Sequence, residues 1–278
     1  MENTGMREAS FLDEKAMDKV IASQQKGVRY TTMTRKAGTQ LVVYIYPQVK
    51  GSIHFLPGAK KGTSEAQKKL NEKHSKLEFD LKLHHNFGPK DLHLIESFMD
   101  EPKTYEEAAK LSAKTLRRIR DLRKKLGLPG LKWLRVIEKG EESGRWHAHY
   151  ILDGVLSFDG MKSCFQEGWT SWEPLKAWRE KGQANFIPLV NYLMKGSDTP
   201  AGKKKWSGSR NLAKPPMPSR NQSKHSKKKV NRMVKEPEAV KEIMEKGYPG
   251  YRVVGHEPAR YNEYNGFWYL NIRMERVE

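Results

Sequence analysis

Two spacings of apolar residues alternate along this chain, and the changes between them mark its predicted elements. From Val28 to Phe55 β-branched and aromatic residues dominate: Tyr30-Thr31-Thr32, Leu41 to Tyr46 and Ile53-His54-Phe55 read as short strands, broken at Ala37-Gly38 and Gly51. Residues 57–76 form a polar connection rich in Gly, Lys, Ser and Glu. Leu77 to Leu83 alternates apolar and polar residues at period two, which predicts a half-buried strand. The spacing then lengthens. Thr104 is a natural N-cap with Glu107 three residues on, and Leu111, Leu116, Ile119 and Leu122 gather on one side of the helix this predicts. Lys114, Arg117, Arg118, Arg120 and Arg123 to Lys125 take much of the remainder, and Gly127 and Pro129-Gly130 stop the helix.

Leu131 to Glu138 and Trp146 to Leu152 predict two strands around the polar turn Lys139–Arg145, an antiparallel hairpin. A Trp-rich connection (Trp169, Trp172, Trp178) leads to a helix predicted from Pro188 to Lys195. Thr199 to Lys235 holds twelve Lys and Arg and no acid, together with Pro215-Pro216, and this composition predicts a flexible basic arm. A helix over Glu236–Lys246 and strands near Tyr251–Val254 and Phe267–Arg273 follow. The fold class is α+β: an antiparallel sheet covered by helices in two layers. The expected organisation is an N-terminal extension over 1–75, a core over 76–198, the arm over 199–235, and a segment over 236–278 that completes the sheet.

Charge sharpens this picture. Lys and Arg outnumber Asp and Glu by 52 to 33, a net charge of +19. An excess of this size favours a polyanionic partner, nucleic acid first. The longest apolar run, Leu41 to Tyr46, falls far short of the ~20 residues a bilayer span needs, so no membrane span is expected. Met1 to Ser10 lacks the apolar segment of a signal peptide. Cys164, the single cysteine, excludes disulfides within the chain and cysteine-rich zinc modules, so a reducing compartment, the cytoplasm, is expected.

The candidate chemistry lies on the hairpin. His147 and His149 are two apart on a strand and project from one face, the outline of a metal site. Glu138, at the end of the preceding strand, adds an oxygen donor, and one Glu with two His suits Mn²⁺ or Mg²⁺ with open positions for water. Each residue also has a plainer reading, with the histidines as ordinary strand residues and Glu138 as a solvated hairpin corner. Tyr192 is followed three residues later by Lys195, so a cation shares a helix face with the phenol. A phenol ionises near pH 10, and a nearby cation favours its nucleophilic form. Core packing is the plainer role for this tyrosine.

Taken in order, Trp133-Leu134-Arg135-Val136-Ile137-Glu138-Lys139-Gly140, Gly144-Arg145-Trp146-His147-Ala148-His149-Tyr150 and Tyr192-Leu193-Met194-Lys195 resemble the HUH endonucleases. Within them, the chain is most similar to the replication initiators of small single-stranded DNA phages and plasmids. Trp206-Ser207-Gly208-Ser209-Arg210-Asn211-Leu212 resembles the Trp-x-x-Ser-Arg-x-Leu segment of phage-type members, and the likeness spans about 77–212. The resemblance implies that His147, His149 and Glu138 bind Mg²⁺ or Mn²⁺, and that Tyr192 cleaves single-stranded DNA and keeps the 5′-phosphate with help from Lys195. It also implies an HUH-type, RRM-like or ferredoxin-like, central sheet. The implied partner is single-stranded DNA at a replication origin, with host helicase and polymerase as further partners. The expected DNA contacts are Arg117, Arg118, Lys139, Arg145, Lys203, Lys204, Lys205, Trp206, Ser209 and Arg210. Two departures stand out. The family's first motif is a Thr-rich strand, whereas Phe79 to His84 lacks Thr and Tyr30 to Thr34 lies far upstream. Gly196 stands where a second tyrosine would be. A relaxase or transposase of the same superfamily, and a non-catalytic basic nucleic-acid-binding protein, are the rival readings.

Overall fold

The computed structural model describes residues 29–48, 65–140, 143–175, 178–180, 183–195, 199–200, 202–222, 224–262 and 266–277. The expected strand at Ile53–Phe55 and residues 1–28 of the N-terminal extension lie outside them. The described residues fall into two compact units, a central one (36–40 and 65–216) and a terminal one (29–35, 41–48 and 217–277). The fold is α+β with two main antiparallel sheets. No helix among the described residues is long and apolar enough to cross a membrane.

The chain begins with β1 (Tyr30–Ala37) and β2 (Gln40–Pro47), followed by α1 (Glu65–Asn86), β3 (Leu92–Phe98) and α2 (Tyr105–Lys125). The hairpin is β4 (Trp133–Lys139) and β5 (Trp146–Leu152). After it come α3 (Phe158–Met161), β6 (Gly168–Pro174), a small hairpin of β7 (Trp178–Glu180) and β8 (Gln183–Asn185), and α4 (Ile187–Leu193). The remaining elements are β9 (Trp206–Gly208), β10 (Ser219–Asn221), α5 (Lys227–Lys235), α6 (Glu238–Gly247), β11 (Tyr251–His256), β12 (Arg260–Asn262) and β13 (Phe267–Arg276).

The central sheet has the order β6-β3-β5-β4-β9. The expected hairpin forms, with Glu138 opposite His147 and Val136 opposite His149. Helix α2 starts as its spacing predicts, with the Thr104 hydroxyl accepting the Glu107 amide at 3.2 Å. The Glu107 carboxylate accepts from the Lys103 amide rather than from the cap residue itself. Leu116 and Ile119 of α2 bury against Ala148 and Tyr150 on one face of the sheet. The other face packs on α1 and α4, through Phe79, Leu83, Leu189, Val190 and Leu193 against Val136 and Ile151. The central unit therefore has helices on both faces, three layers rather than the expected two.

Three stretches of the chain take a different local structure from the one expected. Leu77–Leu83 lies inside α1 and is not a strand. The segment has no Val, Ile or Thr, and Phe79, Leu83 and Phe87 form an i, i+4, i+8 ridge in the core. Leu81 is buried as well, so burial on more than one side produced the period-two alternation. The Trp-rich connection contains β6, paired with β3 along its length. The supposed arm is largely structured. Trp206–Gly208 pairs with β4 as the sheet's edge, and Leu212 enters the central core. In α5, Val230 and Met233 reach the terminal core while most of its cations face outward.

The terminal unit carries its own sheet, β10-β1-β2-β13-β11, with β12 beside β13. Tyr30, Leu41, Val43, Ile45, Leu270 and Ile272 meet Val230, Met233, Val240 and Met244 of α5 and α6. The C-terminal strands thus join β1 and β2 in this sheet and do not complete the central one.

Candidate active site

Residues opposite one another in an antiparallel pair share a face. Register therefore places Glu138, His147, Ser97 and Trp169 in one row across β4, β5, β3 and β6. The next row is Val136, His149, Ile95 and Ser171, and the next Leu134, Ile151, His93 and Glu173. The face that carries His147 and His149 also carries Glu138, His93 and Trp169.

His149 is the centre of this face, with only 1% of its surface exposed. Its Nε2 lies 2.9 Å from Glu138 Oε1 and its Nδ1 lies 3.2 Å from His93 Nε2. His93 stacks on His149 with ring centroids 5.5 Å apart, and its Nδ1 faces Glu173 Oε1 at 3.4 Å. The His147 ring stands edge-on to His149, centroids 6.1 Å apart, and turns back over the hairpin turn. Gly140 makes this possible, because a Cβ there would sit 2.9 Å from His147 Cε1.

Helix α4 brings the nucleophile candidate. Burial of Leu189, Val190 and Leu193 fixes its roll, and His84 Nε2 on α1 accepts the Phe186 amide at its start, at 3.1 Å. Tyr192 is left 41% exposed with its ring edge-on to His149, centroids 5.6 Å apart. Lys195 Nζ stands 5.1 Å from the centre of the Tyr192 ring. Tyr192, Lys195, Glu138, His147 and His149 are thus brought together.

Charges agree with this grouping. Burial alone would raise the Glu138 carboxyl, but the hydrogen bond with His149 and the fields of His149, His147 and Lys195 hold it below its ordinary range. His147 is lowered by burial first and then by the positive fields of His149 and Arg145. Burial, then His149, pushes His93 down to about 4. A charged carboxylate near a His147 ring that disfavours its proton suits a divalent cation, which binds deprotonated ligands.

Among the described residues, no three His, Cys, Asp or Glu side chains stand as a ready-formed coordination shell. Two of the candidate donors stand at the separation that one cation requires. Two ligands at about 2.1 Å in neighbouring octahedral positions lie about 3.0 Å apart, and Glu138 Oε1 and His149 Nε2 are 2.9 Å apart. A histidine that ligates through Nε2 carries its proton on Nδ1 and needs an acceptor there. His93 Nε2 is that acceptor and Glu173 anchors His93 in turn.

No family model, curated protein or solved structure matches the chain. Assignment therefore rests on this geometry.

The expected DNA contacts divide. Arg117, Lys139 and Arg210 are exposed. Arg145 is tethered near His147, donating to the Phe98 carbonyl at 3.2 Å and lying 3.6 Å from Glu101. Lys203 pairs with Glu106 at 3.2 Å, the Lys204 carbonyl accepts from the Tyr105 hydroxyl, and Lys205 donates to the Lys195 carbonyl. Arg118 is spent on Glu167 at 2.5 Å, a structural bond. Trp206 packs on Phe79 and donates its indole N–H to Ser75, while the Ser209 hydroxyl accepts the Trp133 amide at 3.1 Å. Trp206, Ser209 and Leu212 are thus a packing unit, which leaves Arg210 and Asn211 as the exposed members of that segment.

Sequence reading missed His93, Glu173 and Trp169. Trp169 is 65% exposed at the end of the row that holds Glu138 and His147. Its sequence signal, a tryptophan between Gly168 and Thr170, becomes informative only once β6 is known to join the sheet.

Proposed function

We propose that this chain nicks and rejoins single-stranded DNA through Tyr192 with Mg²⁺ or Mn²⁺ bound beside it, as a replication initiator of the HUH type. The observation that carries the reading is the packing of an exposed tyrosine against His149, which is itself joined to Glu138. Three features separate in sequence meet at one point, on a chain of net charge +19.

His147, His149 and Glu138 would hold the cation, which supplies Lewis-acid polarisation of a phosphate oxygen. His93 and Glu173 fix the ring orientation of His149. The Tyr192 oxygen attacks phosphorus, the bond to the 3′ oxygen breaks, the phenol proton passes to solvent and the departing 3′ oxygen takes one up. Lys195, over the same ring, favours the phenolate. The products are a 5′-phosphotyrosyl protein and a 3′-hydroxyl that a polymerase extends. Reversal of the transfer reseals the strand.

Incubating the protein with single-stranded origin oligonucleotides and Mn²⁺ should give a protein-linked DNA band on a denaturing gel, and chelation should remove it. Binding without such a band under any metal would sink the reading and leave a non-catalytic binder. Trp169 offers a base-stacking platform beside the site, and stacking of one base contributes about 1–3 kcal/mol. Trp169→Ala is therefore expected to weaken single-strand affinity roughly 5- to 150-fold in fluorescence anisotropy. An unchanged affinity would place the strand elsewhere.

A further inference from the structure

The terminal unit holds a cavity of about 580 Å³, lined by residues from the start of α5 and the end of α6. Lys224, Lys228, Lys229 and Lys246 line it, with His225 and Ile243. The one acid among its lining residues, Glu242, is engaged by Arg232 at 2.7 Å. We propose that this cavity binds a phosphate group, presented by a free phosphomonoester or by the backbone of a nucleic acid strand.

His225 is the observation that separates this cavity from an ordinary solvated lysine cluster. It is only 3% exposed, and neither ring nitrogen has a hydrogen-bond partner among the described residues. A buried polar group without a partner is costly and uncommon, and a ligand that accepts its N–H removes the cost. Burial first, then the fields of Lys229 and Lys224, pushes its pKa down to about 4, so near neutral pH the ring keeps one N–H to donate. The same fields attract an anion.

Helix α5 adds to this. Its cap, the Ser226 hydroxyl, accepts the Lys229 amide at 3.4 Å. The Lys227 and Lys228 amides are left without acceptors inside the helix, at the end where the peptide dipoles favour negative charge. Helix start, lysines and a buried imidazole with an unused N–H supply the donors that phosphate recognition uses. The inference does not rest on cleavage by Tyr192.

The test uses the full chain at constant ionic strength, with chloride as the replacement salt. Histidine ring NMR signals would be followed, His225 being assigned by its loss in His225→Gln. The probes are inorganic phosphate and a ten-residue oligothymidylate without a terminal phosphate. A saturable shift of the His225 signal is expected, with affinity reduced at least tenfold in Lys228→Gln/Lys229→Gln. Both lysines are exposed, so that variant keeps the fold, and calorimetry on it carries the test even if His225→Gln does not fold. Movement with the oligonucleotide assigns a strand backbone, and movement with inorganic phosphate alone assigns a free phosphomonoester. A His225 signal unmoved by both probes, or equal affinity in the double-lysine variant, overturns the proposal.

Discussion

Tyr192→Phe is expected to abolish the protein-linked DNA product while leaving single-strand affinity nearly unchanged. The substitution removes one oxygen from a ring that is 41% exposed and keeps the edge-on packing against His149. Phenylalanine has no oxygen with which to form the proposed covalent bond, so the loss should be roughly a thousandfold or more. Tyr150, the tyrosine next to His149 in sequence, cannot take over. It is fully buried on the opposite face of the sheet and donates its hydroxyl to Glu96 at 2.5 Å. Covalent product measured over a time course decides the matter, and adduct formation by the Phe variant at even a tenth of the wild-type rate would exclude Tyr192 as the nucleophile.

The hairpin and the α2 helix were legible because their signals are local. A Gly-bearing turn between apolar strands specifies β4 and β5, and Thr104 with Glu107 marks the start of α2 within one turn. The pairing of His147 with His149 followed from strand period alone. Strand β3 was not legible, because His93 makes one face look solvated and Glu96 breaks the apolar row of Leu92, Leu94 and Phe98 on the other. Both polar residues are buried with partners supplied by other elements: His149 and Glu173 for the first, Thr115 and Tyr150 for the second. Nothing near Leu92 in the sequence announces those partners. Basic composition misled for the opposite reason. In α5 the cations lie on the outer side of an amphipathic helix, and Val230, Met233 and Val234 mark its inner side. The position of Tyr192 beside His149 likewise depends on α1, which holds α4 through His84 and whose stretch Leu77–Leu83 read as a strand.

The same blindness to distant partners applies to Arg123, which in sequence belongs to the basic surface of α2. It is instead 1% exposed, with Nη1 donating to Asp153 Oδ1 at 2.5 Å and Nε to the Pro129 carbonyl at 2.9 Å. Asp153 also accepts the Lys132 amide at 2.6 Å, so one carboxylate ties the end of α2 to both strands of the hairpin that carries the histidines. Asp153→Ala would leave a guanidinium buried without its counter-charge, and breaking such a pair from one side costs about 3–5 kcal/mol. For a chain of this size that corresponds to a fall in Tm of roughly 6–20 °C. Arg123→Met combined with Asp153→Leu removes both charges and should recover most of the loss, since apolar replacement of a buried pair is often neutral or stabilising. Urea unfolding of the two variants beside wild type measures both effects. A loss below about 1 kcal/mol in Asp153→Ala would mean that water reaches Arg123 and screens it as it does a surface cation. A double variant no more stable than the single one would assign the cost to the Lys132 bond, lost in both, instead of to the stranded charge.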